Sequence, residues 1–188
     1  MNTHPLDELA RAMMDVPAPL AELLANLETE RSHLIELLST LGSDEATRRP
    51  TPDDWSPAQL VDHLLLAEGF TNRLTETMAA RALASSEATG FPSDLTAFEP
   101  LPPPDGMEAP PPIWPQKELA PAELIEALRE MSEWTKKSFK AMATLDPRKY
   151  RMAHPIFGEI DLGQWWLIHP LHYEMHLAQS QEALRHRD

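Results

Sequence analysis

Two histidines, His172 and His176, stand four residues apart in a segment whose pattern predicts one helix from Asp161 to about His186. Four residues make just over one helical turn, so both imidazoles project from one face with Cβ atoms roughly 5–6 Å apart. Two nitrogens at that spacing can grip one metal ion. A third histidine, His63, falls on the inward face of an earlier predicted helix. Three neutral imidazoles on one divalent cation would leave positions open, the pattern of a catalytic rather than a sealed structural site. An open position would take water with a lowered pKa or an incoming thiol. The alternative for His172 and His176 is a pair of polar residues filling a bundle core and hydrogen-bonded to neighbours.

His169 is a rival ligand, since it shares the face three residues before His172. It cannot easily join His176 on one ion, because seven residues rise about 10.5 Å. A His63–His169–His172 site therefore stays open, and otherwise His169 lines the pocket or supports a ligand. Gln179, almost one turn beyond His176, is a candidate partner inside the bundle. Trp166 and Tyr173 flank the histidine face as packing residues, and Trp55 reads as a packing anchor at the start of the second helix. Glu68 points partly away from His63 and reads as a helix-surface acid. His4, His33 and His186 read as surface residues, and His154, before a proline, as structural. No carboxylate shares the inner stripe with the histidines, so no general base is identified.

The elements that must position these groups are helices. The first is predicted from about Pro19 to Leu41, with leucines at three- and four-residue spacing, one gap at Arg31 and a stop at Gly42. A short amphipathic piece, Leu6 to Met14, precedes it, and Met13 and Met14 would pack it on the bundle. The second opens on Ser56-Pro57-Ala58-Gln59, a cap with proline at the first helical position, and runs to about Leu83. Its inward side carries Leu60, His63, Ala67, Phe70, Leu74 and Met78. The third spans about Pro121 to Leu145. The fourth opens on Asp161-Leu162-Gly163-Gln164, and Pro170 inside it should kink it one turn before the histidine pair. Tyr150 to Ile160 should be extended and turn at Gly158.

Between the second and third helices lie about 35 residues, Ser85 to Ala120, with a proline-rich core from Pro100 to Pro115. That is long for antiparallel neighbours and suits a crossover that starts a parallel helix. The expected architecture is all-α: one domain over residues 1–188, with an N-terminal extension over 1–15 and the crossover over 85–120.

Composition narrows the partners. The 188 residues carry a net charge of −14 and a hydrophobic fraction of 42%. A surface that acidic repels phosphate backbones and anionic membranes, so neither nucleic acid nor a membrane is expected as partner. No apolar run approaches the roughly 20 residues that span a bilayer. Met1 to Asp15 lacks a basic region followed by an apolar core, so no signal peptide is expected and a cytoplasmic location is. With no cysteine in the chain, thiolate ligands and disulfides are excluded, and any thiol chemistry needs an external thiol.

Asp53-Asp54-Trp55-Ser56-Pro57, followed by His63-Leu64 and Glu68, resembles the second-helix signature of the DinB/YfiT-like bundle proteins. His154-Pro155-Ile156-Phe157-Gly158, Gln164-Trp165 and then His172-x-x-x-His176-x-x-Gln179 resemble their fourth-helix signature. The resemblance spans about Pro19 to Leu184. It implies a four-helix bundle of up-down-down-up connectivity, a homodimer, and a divalent metal, Zn²⁺ or Ni²⁺, on His63, His172 and His176. It also implies transfer of a low-molecular-weight thiol, such as bacillithiol or mycothiol, to an electrophilic small molecule. Hydrolysis by an activated water and metal or ligand binding without turnover are the alternatives. The long proline-rich insert departs from the family pattern and could reshape or cover the pocket.

Overall fold

The computed structural model describes residues 16–85, 90–97 and 108–185. The predicted N-terminal piece, Leu6 to Met14, lies outside the described residues, as do His4, Met13, Met14 and His186. Four long helices dominate: α1 (Ala18–Ser39), α3 (Pro57–Ala84), α4 (Pro121–Met142) and α5 (Leu162–Arg185). A one-turn helix, α2 (Ser43–Ala46), and an antiparallel hairpin of β1 (Arg151–His154) and β2 (Gly158–Asp161) fill two of the connections.

The cap chemistry read from the sequence sets two of the helix starts. Ser56 Oγ accepts from the Gln59 amide at 3.3 Å while Gln59 Oε1 accepts from the Ser56 amide at 3.0 Å. Asp161 and Gln164 make the same reciprocal pair at 2.9 and 3.0 Å. Helix α1 ends at Ser39, before Gly42; that glycine instead precedes α2, its amide donating to Glu45 Oε2 at 3.2 Å. The segment expected to be extended is the hairpin, paired from Arg151↔Asp161 to His154↔Gly158, and Gly158 takes φ +69°, a left-handed conformation that suits glycine. Pro170 lies inside α5, which stays helical on both sides of it.

Both α1 and α3 pack on α4 and α5. Helices α3 and α4 run parallel. Near their starts the Asp62 carboxylate accepts from the Gln116 and Lys117 amides, and beyond their ends the Gly90 amide donates to the Thr144 carbonyl. Helix α5 runs against α3, because Thr75 meets Trp166, Thr71 meets His169, Glu68 meets Tyr173 and His63 meets His172 in falling order. The crossover thus produces the up-down-down-up bundle. Leu20, Leu24, Leu27, Leu64, Leu124, Leu128, Phe139 and Trp166 form the centre of its core, and the Phe139 and Trp166 rings meet edge-on at 4.7 Å.

Candidate metal centre

Helices α3 and α5 bring His63, His172 and His176 together. His172 Nε2 lies 2.9 Å from His63 Nε2 and 2.9 Å from His176 Nε2. The Ile113 carbonyl accepts from His63 Nδ1 at 2.7 Å, so the proton sits on Nδ1 and Nε2 carries a bare lone pair. Gln179 Oε1 does the same for His176 Nδ1 at 2.7 Å. Two lone pairs therefore face His172 Nε2, and one proton there can serve only one of them. A cation serves all three at once. Nitrogens sharing an ion at about 2.0–2.1 Å lie about 3.0–3.4 Å apart, close to the two 2.9 Å spacings at His172, and all three ligand atoms lie within 4.8 Å of one another. The donor set fits a divalent metal.

Electrostatics keep the triad ready to ligate. Burial lowers the His63 pKa against the pull of the Ile113 carbonyl, and burial with the neighbouring imidazoles pushes His172 well below its usual range. His176 falls to about 3, chiefly through burial. All three are neutral at pH 7, as metal ligands must be. His169 is not in the triad. Its Nε2 lies 2.9 Å from Thr71 Oγ1, its Nδ1 is buried without a hydrogen-bond partner, and burial lowers its pKa to about 4.

Glu68 is not a surface acid. It is fully buried one layer from the triad, 2.5 Å from Arg31 Nη2, and accepts from Tyr173 Oη at 2.7 Å and from Thr135 Oγ1. Burial alone would raise its pKa, but Arg31 and the two hydroxyl donors hold it below the usual carboxylate range. Arg31, the gap in the leucine stripe, is buried at 1% exposure and also pairs with Glu28. A carboxylate so paired supports Tyr173, the residue after His172, and is no free base.

The described end of the proline-rich segment, residues 108–115, walls the site. Its 3-10 turn, Pro111–Ile113, presents the carbonyl that orients His63. Asp62, the neighbour of His63, anchors the same segment through the Gln116 and Lys117 amides at 2.6 and 3.0 Å. Neither Asp62 nor Ile113 is marked by residue type in the sequence; Asp62 beside His63 on the helix was the available signal. The triad opens on a cleft of about 1620 Å³, lined also by Phe70, which the helical stripe had placed inward but which is 44% exposed. Trp55 does more than pack the helix start: its ring lies 5.0 Å from that of His63. His154 accepts from the Ile156 and Phe157 amides and so holds the hairpin turn.

A four-helix bundle with parallel middle helices, and three imidazoles from two of them converging at an open cleft, defines a helical-bundle protein with a candidate metal centre. The family model of the DinB superfamily matches residues 26–180, and the chain belongs to that superfamily. The crystal structure of TT2238, a four-helix bundle protein, is similar at 21% sequence identity and a TM-score of 0.54, over 87% of this chain and 98% of that one. At that identity the likeness speaks for the fold alone. No curated protein matches the chain. Among the described residues, no helix is long and apolar enough to cross a membrane.

Proposed function

We propose that this protein is a metal-dependent enzyme that activates a low-molecular-weight thiol for transfer to an electrophilic small molecule. One observation carries the reading. Three Nε2 atoms converge on an open cleft in a chain without cysteine, so a nucleophilic sulfur must come from outside. Zn²⁺ or Ni²⁺ held by His63, His172 and His176 would supply Lewis acidity that lowers the thiol pKa toward neutrality. The chain's own residues do the rest. The Ile113 carbonyl and Gln179 fix the His63 and His176 tautomers. The cleft exceeds the about 300–1,000 Å³ typical of a single-ligand pocket, which leaves room for thiol and electrophile together. Family resemblance extends the proposal to a homodimer, and a single monomeric species in sedimentation at every accessible concentration would remove that part.

The test begins with metal analysis of untagged protein. His176→Ala is expected to abolish tight binding and His169→Ala to weaken it far less; the reverse order would reassign the ligands. Protein loaded with Zn²⁺ or Ni²⁺ is then offered bacillithiol or mycothiol with a reporter electrophile. A rate above both the metal-free protein and the His172→Ala variant is the expected outcome. No enhancement at full occupancy would overturn thiol transfer in favour of hydrolysis or binding without turnover.

A further inference from the structure

The cleft constrains its occupant beyond what the histidines do. Among the described residues four large apolar side chains are exposed, and three of them, Phe70, Trp114 and Leu171, line this cleft. Such side chains scattered singly mean little, but gathered at one cleft they mark a binding surface. Trp114 is held in place, its Nε1–H donating to the Ala109 carbonyl at 2.6 Å with the residue still 45% exposed. The wall behind is a series of rings. Phe70 lies 5.5 Å from Trp165, and Trp165 lies 4.5 Å from His154. Trp55 tilts toward His63 itself, so aromatic surface reaches the triad.

The charged residues at the same cleft are mostly acidic. Asp53, Asp54 and Glu108 line it, and none has a described cation within ion-pairing distance. Arg49, the one cation in the described lining, lies 3.8 Å from Glu118, and Glu182 is paired with Arg185 at 2.8 Å. The field at the mouth is therefore negative, as is the molecule as a whole at −14.

We infer that the ring-lined part of the cleft takes an uncharged aromatic small molecule in preference to an anionic one, so that the electrophile the thiol meets there lacks a carboxylate. This deepens the proposed function and rests on it for the roles of the two ligands. The ligand class itself rests on the ring-lined wall and the acidic rim. Stacking on flat rings favours a planar partner. An anion brought near unpaired carboxylates is repelled by an amount that salt screens.

The test uses 2-naphthamide and 2-naphthoate, alike in shape and different by one charge, titrated against the full chain by tryptophan fluorescence. Metal is first removed with chelator so that no ion attracts the carboxylate. At low salt the amide is expected to bind about fivefold tighter or more, and 0.5 M salt should shrink that ratio. The Asp53→Asn/Asp54→Asn/Glu108→Gln variant should bring the ratio within about twofold while the amide keeps its affinity. Phe70→Ala should weaken both ligands. Equal or tighter binding of naphthoate, a ratio indifferent to salt and to the triple variant, or failure of both ligands to bind below millimolar would each overturn the inference. No thiol or turnover enters the measurement. Failure of thiol transfer therefore leaves this ligand class standing, and a preference for naphthoate would overturn the class while leaving the metal chemistry intact.

Discussion

His172 and His176 were legible because their chemistry depends on a spacing within one helix, and four residues on a helix fix a face. His63 was legible because a capped helix start set the phase of its stripe. Arg31 and Glu68 were not. Charged side chains are almost never fully buried unless paired, and the Glu68 partner lies 37 residues away on another helix. Such a pairing is a tertiary fact with no local signature. It is also a fragile one, since removing one partner leaves the other charged and desolvated. Glu68→Ala is expected to cost about 3–5 kcal/mol in urea denaturation, and Arg31→Met/Glu68→Leu much less than either single loss suggests. A loss below about 1 kcal/mol for Glu68→Ala would show that Arg31 finds other compensation.

The helices were read to within a few residues because caps, proline at the first turn and leucine spacing all agreed. The crossover was legible as a length, and length was enough to predict parallel middle helices. Its part in the site was not, because every residue carries a carbonyl and the sequence cannot mark Ile113 as the one that meets His63. Asp62 ties that segment to α3 by two amide bonds. Asp62→Ala should release the strap and lower Zn²⁺ affinity about tenfold, the usual effect of losing an outer partner. Competition with a chromophoric chelator measures this, with helical circular dichroism as the control. Unchanged affinity would mean that the Ile113 carbonyl holds its place without the anchor.

Across the whole molecule, acid is the expected weakness. Burial lowers the pKa of His63, His169, His172 and His176, so the folded state binds fewer protons than the unfolded chain below about pH 6.5. Their contribution to stability is present above that pH and declines as pH falls toward the folded values of about 3 for His176 and about 4 for His169. Glu68, which burial would raise but Arg31 holds below the usual carboxylate range, adds a loss of the same sign in acid. The melting temperature of metal-free protein should therefore fall steadily from pH 7 to pH 4, and His176→Ala should flatten the slope. A melting temperature independent of pH over that range would contradict the burial of neutral imidazoles.

The bond between His63 and His172 joins positions 109 residues apart, on either side of the crossover. Contacts that distant form late, because the chain must close a long loop before they return any energy. Neither the segment holding α1 and α3 nor the one holding α4 and α5 carries all three imidazoles, so neither can collect the full ligand set during folding. An ion that recognised only the assembled triad would report the docking of the two segments. It would draw the finished bundle forward by mass action, and its arrival in a refolding experiment would date the moment at which the full ligand set is in place.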